Sequence, residues 1–230
     1  MKHIIFLSLF ASIAIQAFSQ AANPVAVFKF DEGTGTAVKD TAGVFKGEIK
    51  NAQWADGKSG KALAFSGSNS YAAIKFTNLD GGFTFIAWTK PNAIPADLPF
   101  GETSIVARPG FHSSIAYTTA KKFFFNYWTT NNRNVVAMSS DESPSDAWYH
   151  VAGVYDKTAG KTFIYVNGEL KGTAVSPEGT EIRKYDAVLY IGCGTTGGKY
   201  AGWYTGAVDD VKVFSRALTA DEVRSEFAAQ

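Results

Sequence analysis

The sequence predicts an all-β protein made of two packed antiparallel sheets. Aromatic and β-branched residues recur in short runs, and Gly, Asn, Asp, Ser and Pro separate those runs, which is the rhythm of strands and turns. Only one convincing helix start occurs after the first twenty residues, and it lies near the C-terminus. Several runs, Phe83–Trp88 above all, are apolar on both faces, as in central strands covered on both sides.

The elements follow in order. Met1-Lys2-His3 precedes an apolar stretch from Ile4 to Phe18, broken by Ser8, Ser12 and Gln16 and followed by small residues around Ala17, Ser19 and Ala21. This pattern is that of a secretory signal peptide over residues 1–20, leaving one domain over 21–230. The apolar stretch is short of the about 20 residues that span a bilayer. The expected location is therefore secreted, periplasmic or cell-surface, with no transmembrane segment in the mature chain.

Strands are expected at Val25–Phe30, Ala62–Phe65, Tyr71–Phe76 and Phe83–Trp88, with Ser66–Ser70 read as a hairpin turn. Residues 91–102, with Pro91, Pro95 and Pro99, form the least regular stretch. Ser104–Arg108, Ser113–Tyr117, Phe123–Trp128 and Asn134–Met138 continue the series. Trp148–Tyr155 and Lys161–Val166 make a hairpin, and Asn167-Gly168 then gives the strongest two-residue turn signal, because a type I′ turn needs positive φ at both positions. Val188–Gly192 and Gly206–Phe214 complete the strands. Thr219-Ala220-Asp221-Glu222 is a capping box that opens a short helix, expected to lie over the sheet edge with Val223 and Phe227 on one face.

The chain has 22 basic and 21 acidic residues, and removing Lys2 with the leader leaves 21 of each. A neutral chain whose densest basic pair is Lys121-Lys122 argues against nucleic acid or an anionic membrane as partner. The single cysteine, Cys193, excludes an intramolecular disulfide and reads as a small semi-buried residue.

The order of motifs resembles the LamG-like jelly rolls of the concanavalin A-like lectin/glucanase superfamily. Phe28-Lys29-Phe30-Asp31-Glu32-Gly33, Asp40-Thr41-Ala42-Gly43, Gly57–Gly67, Phe83–Trp88, Trp148-Tyr149-His150-Val151-Ala152, Tyr165-Val166-Asn167-Gly168 and Gly206–Phe214 with Arg216-Ala217-Leu218-Thr219 carry that resemblance. It implies a two-sheet antiparallel jelly-roll sandwich with a short C-terminal helix, first and last strands side by side. That placement brings Asp31 near Asp209, and many relatives hold a structural calcium in this kind of place. Ca2+ on Asp31 and Asp209 is thus an expectation of the resemblance; the residues alone fit amide acceptance equally.

Sugar rings have apolar faces and hydroxyl edges, so a glycan site needs an exposed aromatic platform beside polar groups. Tyr127 and Trp128 with Asn131 and Arg133 form one candidate, and Tyr200, Trp203 and Tyr204 a second; Trp54, Trp88 and Trp148 are assigned to the core. Glycosidase chemistry requires two facing carboxyls. The Glu-x-Asp-x-(x)-Glu strand pattern of the glucanase branch is absent, Asp141, Glu142 and Asp146 read as solvated, and Asp209 and Asp210 are expected on opposite faces of their strand. His112 is expected in a turn and His150 as a satisfied core residue, without a pair at metal spacing. The reading is an exported non-catalytic binding module with carbohydrate as ligand. The alternatives are a glycoside hydrolase of the same superfamily and a protein-binding adhesion domain.

Overall fold

The computed structural model describes residues 23–96, 98–177, 181–184 and 187–229; the leader expected over 1–20 lies outside them. In chain order the strands are β1 (Ala26–Phe28), β2 (Ala37–Lys39), β3 (Lys46–Lys50), β4 (Gln53–Asp56), β5 (Lys61–Ser66), β6 (Tyr71–Lys75), β7 (Phe83–Pro91), β8 (Glu102–Ala107) and β9 (Ser113–Thr118). They continue with β10 (Phe123–Trp128), β11 (Asn134–Met138), β12 (Tyr149–Asp156), β13 (Lys161–Val166), β14 (Glu169–Val175), β15 (Val188–Ile191), β16 (Gly194–Thr196), β17 (Lys199–Ala201) and β18 (Thr205–Phe214), before helix α1 (Ala220–Ala228).

Two eight-stranded sheets stack face to face. The first runs β14-β13-β12-β7-β18-β5-β4, with β1 also on β18; the second runs β11-β10-β9-β8-β15-β6-β3-β2. Phe28 pairs with Val211 and Ala26 with Val213, so the chain's start lies beside its finish. The inner faces meet in one core containing Phe28, Phe85, Phe125, Val151, Leu189 and Val213, all fully buried. Burying each such side chain contributes about 1.5–3 kcal/mol. The sheets approach closely at Gly153, where an added Cβ would stand 2.3 Å from the Phe125 ring.

Alternation sets the second sheet's faces. Along β6, Ala72 and Ile74 are buried while Tyr71, Ala73 and Lys75 point outward. The first sheet's centre is instead covered twice. Ile86, Ala152, Val154, Tyr165 and Phe214 form a second cluster on its outer face with Leu218 and Val223. Thr219 accepts from the Glu222 amide and Glu222 accepts from the Thr219 amide, so the capping box forms. Phe227 reaches Trp88 and His150 at ring distances of 5.8 and 5.7 Å. The helix therefore lies across the sheet's face rather than merely at its edge, because the doubly apolar β7 needs a cover.

Other expectations change. Ser66–Ser70 is a corner between sheets: β5 pairs with β4 and β18, whereas β6 pairs with β3 and β15. Each flanking strand buries its apolar side on the same core from opposite layers, and the Ser70 hydroxyl accepts from the Ser66 amide to hold the bend. Asn167 and Gly168 do form the tight turn, with φ of 51° and 78°. Between Asp209 and Lys212 the register with β7 shifts by a bulge, and Asp210 has φ of 44°. Simple alternation therefore does not apply to Asp209 and Asp210, and both are buried.

Candidate functional site

An open groove of about 1050 Å³ lies on the outer face of the second sheet, across β2, β3, β6 and β15. Register builds it. Ala37 stands opposite Glu48, Glu48 opposite Ala73, and Ala73 opposite Tyr190, giving a floor with two alanines. One wall is aromatic. Tyr200, from the β16–β17 hairpin, lies on Tyr71 at 4.6 Å, with Trp203 6.0 Å from Tyr71 and Tyr190 edge-on to Tyr200 at 5.7 Å. Tyr200 is 45% exposed. The hairpin is seated by Phe111: a Cβ at Gly194 would stand 2.3 Å from its ring, so only glycine allows this approach. Burial and the neighbouring Tyr200 raise the Tyr71 hydroxyl pKa above its ordinary value. Lys39, Lys46, Lys50, Lys75 and Glu48 line the rest of the groove, and Asp40 closes one end. The Asp40 carboxylate accepts from the amides of Val27, Ala42, Val44 and Phe45, fixing the loop between β2 and β3.

The expected platform residues separate into three groups. Tyr200 lines the groove, and half-buried Trp203 supports it by packing on Tyr71 and Tyr200. Tyr127 and Tyr204 are core residues at 1% and 0% exposure; Tyr127 bonds Ser176, and Tyr204 bonds Thr89 at 2.5 Å, so neither has a surface to offer. Tyr127 lies on β10 and Tyr204 in the short loop before β18, and both turn into the core, which the sequence did not distinguish. Trp128 is half-buried away from the groove, with the Arg183 guanidinium 6.0 Å over its ring and His112 edge-on at 6.4 Å. Asn131 and Arg133 are exposed in the adjoining turn, where the Thr129 hydroxyl donates to Asn131 at 2.5 Å. Tyr71 and Tyr190 are site residues that the sequence reading missed.

Asp31 and Asp209 do flank one element, the turn between β4 and β5. Asp209 Oδ2 accepts from the amides of Lys58 and Ser59 at 2.9 and 3.2 Å, and Oδ1 from the Asp210 amide at 2.7 Å. Asp31 Oδ1 accepts from the Lys61 amide at 3.0 Å. Three of the four carboxylate oxygens thus face N–H groups, whose polarity repels a cation. Among the described residues no group of three or more His, Cys, Asp or Glu gathers. The donor set as it stands fits amide capping and does not fit calcium, and nothing below is routed through a metal.

Burial pushes the Asp209 carboxyl up to about 7 against its three amide donors, and Asp210 adds to the rise. Glu102 is also raised by burial, but it sits on β8 of the other sheet, so the two do not face one another. His150 is buried and held neutral, its pKa lowered to about 3 by burial and by Lys212. Its Nδ1 has no hydrogen-bond partner, so it is a core residue but not a satisfied one. His112 follows a short 3-10 turn, Pro109–Phe111, and is lowered to about 4 by burial, Arg183 and Arg108. Cys193 is fully buried, and burial raises its thiol to about 12, which silences it as a nucleophile. Trp88 is buried, while Trp54 and Trp148 are half-buried. Among the described residues no helix is long and apolar enough to cross a membrane.

Two stacked antiparallel sheets, with a groove on one outer face, define a β-sandwich of the jelly-roll class. The profile of the concanavalin A-like lectin/glucanases superfamily matches residues 66–224, more than half of the chain, and the protein belongs to that superfamily. No curated protein matches the chain. Among solved structures it resembles the binding domain of Paraclostridial Mosquitocidal Protein 1 at a TM-score of 0.74 and 17% identity, over 90% of this chain and 52% of that one. It also resembles the binding domain of botulinum neurotoxin DC, solved with SialylT, at a TM-score of 0.70 and 16% identity, over 90% and 51% of the two chains. A third is the Trypanosoma rangeli sialidase, solved with the inhibitor DANA, at a TM-score of 0.61 and 16% identity, over 89% and 32%. The chain spans about half the length of the first two and less of the third. At these identities the likeness concerns the fold.

Proposed function

We propose that this protein is an exported, non-catalytic binding module that holds carbohydrate in the groove of the second sheet. The observation that carries the reading is the cluster Tyr71, Tyr190, Tyr200 and Trp203 standing beside an open floor of small residues. Tyr200 is exposed and its three partners are half-buried, so the cluster reaches the surface beside the groove, where it matches the apolar faces of pyranose rings. Lys and Glu side chains at the rim supply hydrogen bonds for hydroxyl edges. The neurotoxin binding domain solved with SialylT and the sialidase solved with the inhibitor DANA lend support, since each contains this sandwich over part of its chain.

A glycan array on the mature protein tests the reading. A reproducible hit that Tyr200→Ala and Trp203→Ala both abolish supports it. A hit unaffected by either variant places the site elsewhere, and a blank array argues for the protein-binding alternative. Sustained release of reducing sugar from a polysaccharide panel would instead favour the hydrolase.

A further inference from the structure

We infer that the ligand of this groove is an acidic polysaccharide, with sugar faces on the Tyr71–Tyr200 wall and anionic groups on a row of lysines; the inference rests on the carbohydrate reading above. Lys39 of β2 stands directly opposite Lys46 of β3, and Lys46 directly opposite Lys75 of β6. All three side chains are exposed on the outer face. Neighbouring strands are about 4.8 Å apart, so the three ammonium groups form a line across the sheet. Like charges placed directly opposite each other destabilise a sheet by roughly 0.2–1 kcal/mol per pair.

Little within the described residues relieves this repulsion: Glu48 attracts Lys75, but its carboxylate is already ion-paired elsewhere. Lys39, Lys46 and Lys75 make no ion pair; Glu48 is paired with Lys50 at 2.9 Å, and Asp40 is committed to four backbone amides. Four lysines therefore line the groove against Glu48 and Asp40, an excess of two positive charges, while the chain as a whole carries only +1. An anion seated on the row removes a repulsion that the free protein carries.

The spacing suits a chain rather than a single small ion. From Lys75 to Tyr71 is four residues along β6, roughly 14 Å, with the alanine floor between. A polymer lying along this path meets aromatic faces at one end and ammonium groups at the other. Lysine is a mobile point charge on a flexible stem, so the row accepts carboxylate or sulfate without demanding one fixed geometry.

The test is affinity electrophoresis of the protein against polygalacturonate, chondroitin sulfate, carboxyl-reduced polygalacturonate and an oligo-dT strand, at low and high salt. The expected result is retardation by one or both acidic polysaccharides, weakened by salt, and at least tenfold weaker in the Lys46→Gln/Lys75→Gln double variant. Thermal melting of that variant should be unchanged or higher, since a repulsion is removed, which separates lost binding from lost folding. The uronate and sulfate arms identify the anion. The inference fails if only the uncharged polymer binds, if the double variant binds acidic polymers as tightly as wild type, or if oligo-dT binds more tightly than any glycan. In the first two cases the carbohydrate reading survives wherever Tyr200→Ala still abolishes the interaction. Absence of any glycan binding removes both.

Discussion

Tyr200 lies against Tyr71 with ring centroids 4.6 Å apart and planes 31° apart, although the two side chains come from different elements of the fold. Tyr71 begins β6 in the sheet, while Tyr200 arrives on the separate β16–β17 hairpin. Their contact turns a flat sheet face into a walled groove. Such ring pairs contribute about 0.5–1.5 kcal/mol beyond area burial.

Tyr200→Ala should therefore remove glycan retention while lowering stability by only about 1 kcal/mol. Urea unfolding of the variant checks the second half of the statement. A loss of several kcal/mol would show that the hairpin supports the fold rather than the site.

Asp209 should give the protein a distinctive dependence on pH. Its carboxyl is raised to about 7 from an ordinary value of 3.8, so the fold holds that proton more tightly than the unfolded chain does. Its contribution is then fully present below about pH 4 and is lost as pH rises through about 7. Asp209→Asn turns an amide NH2 toward backbone donors and should destabilise by roughly 1–3 kcal/mol in acid. The penalty should shrink toward pH 8, and denaturant titrations at pH 4, 6 and 8 measure it. Chelator or added calcium should leave the melting temperature of both proteins unchanged; a calcium-dependent rise in wild type alone would restore a cation at this turn.

His150 works with the opposite sign. Its folded pKa of about 3 lies below the ordinary 6.5, so its neutral burial supports the fold above about pH 6.5 and is lost as pH falls toward 3. His150→Phe keeps a ring against Trp88 and Phe227 and removes the unpaired Nδ1. Relative to its effect at pH 8, the variant should gain about 2 kcal/mol at pH 5. An equal effect at both values would show that the imidazole titrates normally.

Gly168 has φ of 78°, and a Cβ there would stand 3.1 Å from the Phe227 ring. Gly168→Ala should cost about 1–2 kcal/mol from the left-handed backbone alone. A shift in the urea midpoint without a change in slope checks it; a neutral result would mean that the turn relaxes.

Much of this fold was legible along the chain. The doubly apolar Phe83–Trp88, the Asn167-Gly168 turn and the Thr219–Glu222 capping box all act on near neighbours or on one strand's own faces. The short strands β2, β3 and β4 escaped notice. Lys46-Gly47-Glu48-Ile49-Lys50 buries only Ile49, so it shows almost no apolar alternation, and its place in the sheet comes from pairing with β6. Because β2 and β3 carry half of the groove, the site escaped with them.

By itself the sequence determined that the chain forms strands, where its clearest turns and its helix begin, and that its charges nearly balance, at +1. It placed Tyr200 and Trp203 among the candidates but equally Tyr127 and Tyr204, since composition does not tell an inward position from an outward one. Only the tertiary structure decided which rings are exposed, that Asp31 and Asp209 serve one turn, and that Lys39, Lys46 and Lys75 stand in line. The physical reason is register. Residues far apart along the chain become neighbours about 4.8 Å apart across strands, and local patterning holds no record of which strand lies beside which.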